Sequence, residues 1–297
     1  MLRKGVLVAL TGLVTMCLGE TAAGEVAPNP PAAYPQATAL PQAAVWRSAA
    51  PVLRRATVPV TIMSFNVCGG VCRRGEVRKT SAYAARMALR HKASIVLLQE
   101  LCHSQFVRIR TLLKAEGYTG RFAAGTAAGV CDNHDKRYGK GFGVAVLVRG
   151  TTSGAVVKRL PTTPGVEGRV MLGTYATVGG RRTFVATLHL SPSAKAGLHR
   201  QLRTVAGSLA SRAGRPVIVG GDFNALPDNA GLDPLYRRFI ETDKLRHGAQ
   251  PTFDIARRKI DYIFLSAGLF TRFRAVSILT AMSDHRVYIG SVRAPRP

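Results

Sequence analysis

RPVIVGGDFNALPD, residues 215–228, decides how the rest of the chain is read. Val217 to Gly220 reads as a short buried strand, and Gly221, Asp222, Phe223 and Asn224 follow where that strand should end. Side chains two apart on a strand share a face, so the Asp222 carboxylate and the Asn224 amide point the same way. Such a pair can hold one atom group between them. The carboxylate takes a proton or a metal, and the amide donates hydrogen bonds to an anionic oxygen. A lone Asp-x-Asn is more simply an Asx turn closing a core strand, with Pro227 ending the loop. The functional reading gains weight because other strands end in residues of the same kind.

Val58 to Phe65, VPVTIMSF, alternates and is β-branched, which predicts a first core strand with Asn66 at its end, as a metal ligand or an amide behind one. A helix over Arg78 to His91 leads to a second strand, Ser94 to Gln99, whose tip carries Glu100. A carboxylate at the tip of a buried strand is costly unless paired or bound to a cation, and neither sequence neighbour of Glu100 is basic, so it reads as a metal ligand. Residues 103–116 form a second helix, and Gly125 to Lys140 reads as a Gly-rich, charged surface loop. Phe142 to Arg149 and Gly154 to Arg159 read as a strand pair joined by Thr151, Thr152 and Ser153. Arg169 opens the next strand, and the hairpin signal Gly179-Gly180 joins it to Arg181 to Leu190, with His189 near the far end. An amphipathic helix over Lys195 to Arg212 returns the chain to the opening stretch. Beyond it, Asp261 is embedded in the strand Lys259 to Leu265. His285 is its candidate partner, just ahead of a last strand, Val287 to Val292.

The 297 residues carry 42 Lys plus Arg against 16 Asp plus Glu. A basic start, an apolar run from Gly5 to Leu18 and small residues after it predict a secretory signal over 1–24, too short to span a membrane. Residues 25–57 are rich in Ala and Pro and read as an extended linker, leaving 58–297 as one catalytic domain. Four cysteines remain after the signal, an even number in an exported chain. Cys68 with Cys72 and Cys102 with Cys131 is the favoured pairing; a zinc site using His103 or His134 is the weaker rival, its spacing fitting no common pattern.

SFN at 64–66, LLQE at 97–100, LHL at 188–190, GDFNA at 221–225, IDYIF at 260–264 and SDH at 283–285 together resemble the endonuclease/exonuclease/phosphatase superfamily, the DNase I-like fold. The resemblance implies a four-layered α/β sandwich, two mixed sheets packed face to face with helices outside. It implies that Glu100 holds a divalent cation, usually Mg²⁺, with Mn²⁺ or Ca²⁺ as alternatives, and that Asn66 and Asp284 stand close to it. Asp222 and Asn224 would orient the attacking water and the phosphate. His285, oriented by Asp261, would be the base or a phosphate contact. His189 would stabilise or protonate the leaving oxygen, and Arg169 would touch the substrate backbone. The nuclease branch orients its equivalent of His189 with a glutamate, and the matching stretch here, GKGFGVAVLV, has no acid.

The superfamily also holds sphingomyelinases and phosphoinositide phosphatases, so chemistry and substrate are separate questions. Without residues 1–24 the chain keeps 40 basic against 15 acidic residues, a net charge of +25. That field suits a polyanion, so nucleic acid is the expected substrate and a lipid headgroup the alternative; a catalytically dead binding module is disfavoured because the acidic and histidine positions are present. No stable protein partner is implied; the chain is expected to act as a monomer, secreted or associated with the cell wall.

Overall fold

The computed structural model describes residues 56–133, 136–212, 214–246 and 249–296. The signal and nearly all of the linker, like His134, lie outside the described residues.

Two six-stranded sheets form the middle of the molecule. The first is built from β1 (Thr57–Asn66), β2 (Ile95–Cys102), β3 (Tyr118–Ala127), β4 (Gly141–Arg149), β11 (Thr271–Ile278) and β12 (Val287–Pro295), in the order β11-β12-β1-β2-β4-β3. The second holds β5 (Thr152–Leu160), β6 (Arg169–Val178), β7 (Arg181–His189), β8 (Val217–Asp222), β9 (Phe239–Glu241) and β10 (Asp261–Ser266), in the order β5-β6-β7-β8-β10-β9. Helices α1 (Arg78–Arg90) and α2 (His103–Lys114) cover the first sheet, and α3 (Leu198–Ala210) covers the second.

Alternation along the strands builds the layers, because successive side chains face opposite sides. Ile62, Leu97 and Val146 meet Leu172, Val185, Ile218 and Ile263 between the sheets. Their alternates Met63, Phe65 and Leu98 pack under Ala84, Ala88, Ile109 and Leu113, while Leu188, Val219 and Phe264 pack under Leu202, Val205 and Leu209. This is the α/β sandwich that the sequence motifs imply, and both sheets are mixed. Each contains one parallel pair, β1 with β2 and β7 with β8, and the rest are antiparallel. Parallel neighbours need a crossover, supplied by α1 and α3.

Several boundaries differ from the sequence reading, each for a local reason. β2 does not stop before Glu100. Three steps along it, Leu98 to Leu101, face two along β4, Ala145 to Gly143, and this bulge holds Glu100 at φ 53°. β4 and β5 are not a pair: Gly150, at φ 121°, lies between them, and they belong to different sheets. Residues 125–127 of the expected loop are the end of β3, a strand hidden by Gly120, Ala123, Ala124 and Gly125, which carry little β signal. α3 starts at Leu198 because Gly197 is left-handed, φ 108°, and cannot sit inside a right-handed helix. Asp261 opens β10 instead of lying within it. Cys68–Cys72 and Cys102–Cys131 are disulfides, which removes the zinc alternative. On a chain-entropy account the longer loop stabilises the fold by about 3 to 4 kcal/mol.

Gly221 has φ 145°, and a Cβ there would lie 2.1 Å from the Leu188 carbonyl oxygen on the neighbouring strand. Gly221→Ala is therefore expected to cost about 3 kcal/mol or more in a urea unfolding titration. A loss under about 1 kcal/mol would contradict the close strand approach beside Asp222.

Candidate active site

The two parallel pairs end at one place. In the strand registers Asn66 lies opposite Gln99, His189 opposite Asp222, and Asp222 opposite Asp261. Asn66 continues the inward phase of Val60 and Ile62, His189 that of Val185, and Asp222 that of Ile218, so all three turn into the space between the sheets. One step below, Gln99 on β2 donates to Thr187 Oγ1 on β7 at 2.9 Å, tying the sheets together under the site.

Asn66 joins the two carboxylates. Its Nδ2 donates to Glu100 Oε1 at 2.9 Å and to Asp222 Oδ2 at 3.1 Å, while its Oδ1 accepts from the Cys68 backbone N–H at 3.0 Å. Of the two readings of Asn66, the amide orientation fits the one that supports the ligands from behind. Asp222, only 1% exposed, accepts the Asn224 backbone N–H at 2.8 Å through Oδ1. Asn224, at φ 47°, spends its amide on the Leu190 carbonyl at 2.9 Å and Asp222 Oδ2 at 3.3 Å. Left-handed backbone at a residue other than glycine persists only where its surroundings enforce it, and here it occurs at both Glu100 and Asn224.

The two histidines approach Asp222 Oδ2 from different sides, His189 Nε2 at 3.4 Å and His285 Nε2 at 3.5 Å. Their charge states differ. Burial works against charge on His285, but Asp261, whose Oδ2 is 2.9 Å from Nδ1, and Asp222 outweigh it and raise its pKa to about 10. Burial and then Arg169 hold His189 well below the ordinary histidine value. Arg169 Nη1 is hydrogen-bonded to His189 Nδ1 and has Glu167 Oε1 at 3.3 Å. A guanidinium only donates, so His189 offers it a lone pair and stays neutral; Arg169 Nη1 lies against both ring nitrogens, 3.0 Å from Nε2, which is also 3.5 Å from Glu100 Oε1. Burial raises Asp222 to about 7 against the pull of His285.

The Asp284 carboxylate groups with the sulfurs of Cys68 and Cys72, which are bonded to each other and so are not metal ligands. The ligand atoms of Glu100, His189 and Asp222 lie within 4.8 Å of one another, and so do those of Asp222, Asp261 and His285.

Four contributors had no assigned role in the sequence. Ser283 Oγ donates to the Asn66 carbonyl at 2.8 Å and accepts the His285 N–H at 3.1 Å. Thr252 Oγ1 accepts the N–H groups of Ile260 and Asp261, and the Phe253 ring lies 5.0 Å from that of His285. Glu167 pairs with Arg169. Ser283 was visible in its motif; the acid two residues before Arg169 was the only signal for Glu167.

A family model described as Endonuclease/Exonuclease/phosphatase family matches residues 63–285, from β1 to His285. The chain belongs to that family. Its members are hydrolytic phosphoesterases that generally use divalent metal ions. Among solved structures, the chain is similar to the human Nocturnin catalytic domain with bound sulfate anion, at 21% identity and a TM-score of 0.63 over 82% of this chain and 97% of that one. It is also similar to D. rerio TDP2 complexed with single strand DNA product (19%, TM-score 0.60, 79% and 98%) and to a family protein from Bacteroides thetaiotaomicron (16%, 0.62, 80% and 99%). These likenesses establish the shared fold. No curated protein matches the chain.

In the metal-free protein the raised His285 value favours folding fully below about pH 6.5, and that contribution is lost as pH rises through about 10. His189 has the opposite sign: its contribution is present above about pH 6.5 and is lost as pH falls. Imidazole ¹⁵N spectra should show His285 protonated at about pH 8 and His189 neutral at about pH 6. A neutral His285 in the first spectrum or a charged His189 in the second contradicts the assignment.

Proposed function

We propose that this protein is an exported, divalent-metal-dependent phosphodiesterase that cuts DNA or RNA internally. The observation that supports the reading most is the convergence of Glu100, Asp222, His189 and His285 on one edge, bridged by Asn66.

The donor set fits a hard cation. Glu100 and Asp222 offer carboxylate oxygens, the ligands Mg²⁺ takes, and Asn66 holds them in place. When bound, the cation neutralises charge growing on the phosphoryl oxygens. Asp222, accepting through both oxygens and braced by Asn224, is placed to take a proton from the attacking water. His285, kept cationic by Asp261, faces the same point and binds a phosphoryl oxygen. His189, neutral and held in place by Arg169, is placed to stabilise the leaving oxygen.

The mature charge of +25 supports a polyanionic substrate, since each neutralised phosphate releases counterions. Exposed apolar side chains such as Val71, Ile255 and Leu279 are what a lipid-headgroup phosphodiesterase would use instead. Export is supported by the two disulfides and by the N-terminal sequence. Among the described residues no helix is long and apolar enough to cross a membrane.

Glu100→Ala, Asp222→Asn and His285→Ala should each lower single-turnover DNA cleavage by about 10² to 10⁴ while leaving DNA affinity nearly unchanged. Wild-type affinity should fall about 10³-fold or more between roughly 50 and 200 mM salt, and EDTA should abolish cleavage. Rapid sphingomyelin or phosphoinositide hydrolysis without any cleavage of DNA or RNA would move the protein to the lipid branch.

A further inference from the structure

Beside the catalytic edge lies an open slot of about 550 Å³, lined by Gly70, Val71, Arg74, Val130, Phe142 and Glu167 among others. Its walls are tied to the strands that carry the site. Gly70 and Val71 sit within the loop closed by Cys68–Cys72, which starts two residues after Asn66 and is held by the Gly69 N–H donating to the Glu100 carbonyl at 2.7 Å. Val130 precedes Cys131, whose disulfide runs to Cys102, two residues beyond Glu100. Cys102, Cys131 and Phe142 form one buried cluster with Val130 packed on it. Glu167 closes a further side and reaches the site through Arg169, which lies on His189. A Cβ on Gly70 would meet the Phe142 ring at 3.0 Å, so the glycine preserves the width of the slot.

We propose that this slot receives the base of the nucleotide adjoining the scissile phosphate. The proposal rests on the nucleic-acid reading above. An occupant attached to a phosphate at the catalytic edge would lay an apolar face against Val71, Val130 and Phe142 and turn an edge toward Glu167. Paired with Arg169 through Oε1, the Glu167 carboxylate still has lone pairs with which to accept, so the edge that suits it carries N–H groups. A nucleobase supplies both, a π-face for apolar contact and amino or imino hydrogens on its rim. An acyl chain fills the apolar part but makes no use of the carboxylate on the rim. The two disulfides then hold the walls of the slot beside the phosphate site.

The test uses the full chain with Mg²⁺ and single-stranded oligonucleotides in which one abasic residue is moved stepwise along the strand. At one fixed position relative to the cut, the abasic residue should raise KM about tenfold with kcat little changed. Val71→Glu, at a side chain 84% exposed and so compatible with folding, should raise KM for the intact oligonucleotide and add nothing for the abasic one. Cleavage that continues with no positional abasic effect, or with Val71→Glu without effect or simply additive, overturns the slot assignment and leaves the nuclease reading standing. No cleavage of any oligonucleotide, with sphingomyelin vesicles hydrolysed and that reaction slowed by Val71→Glu, overturns both and gives the slot to a lipid.

Discussion

Two adjacent parallel strands end at the same edge of a sheet, and this constraint does most to shape the molecule. Each sheet contains one such pair, and the sheets pack with the two C-terminal edges together. Three strand ends and the bulge in β2 therefore deliver Asn66, His189, Asp222 and Glu100 to one point, although they lie far apart in sequence. The antiparallel strand β10 enters the same edge from the opposite direction, so its first residue, Asp261, stands beside the last residue of β8. The hydrophobic layers on either side hold that edge in place and take no part in the chemistry.

Gathering carboxylates at a buried edge is costly, and the structure shows how the cost is offset. A buried carboxylate needs donors or a cation. Asp222 obtains donors from Asn66 and Asn224 and a positive neighbour in His285, yet burial still raises its pKa. Glu100 reaches the cluster only through a bulge and left-handed backbone, a strain the two sheets must hold. The two histidines take opposite charge states because one faces Asp261 and the other Arg169. Two similar rings thereby take a charged and a neutral state a few ångströms apart.

How much of this was legible in the sequence depended on whether the cause was local. Strand-end polar residues stand out against apolar runs, so Asn66, Glu100, His189, Asp222 and Asp261 could be picked out, and their order matched the family. The disulfide pairs followed from an even count, with one pair local and the other flanking a single long connection. Long-range geometry was hidden. Nothing around Thr151 says that the chain leaves one sheet for the other, and β3 is too rich in Gly and Ala to declare itself. The motif Ser283-Asp284-His285 gave no sign that the Asp284 carboxylate lies beside the Cys68–Cys72 bridge. The orientation of His189 by Arg169 likewise depends on two strands whose pairing places the side chains together.

The central claim is that Glu100 and Asp222, joined by Asn66, form a single cation site at the meeting of the two parallel pairs. A crystal of the protein soaked in Mn²⁺ and measured at the manganese edge tests it most directly. The account predicts an anomalous peak in contact with oxygens of Glu100 and Asp222, and its loss in a Glu100→Ala crystal. A peak elsewhere, or one that survives the substitution unchanged, would contradict it.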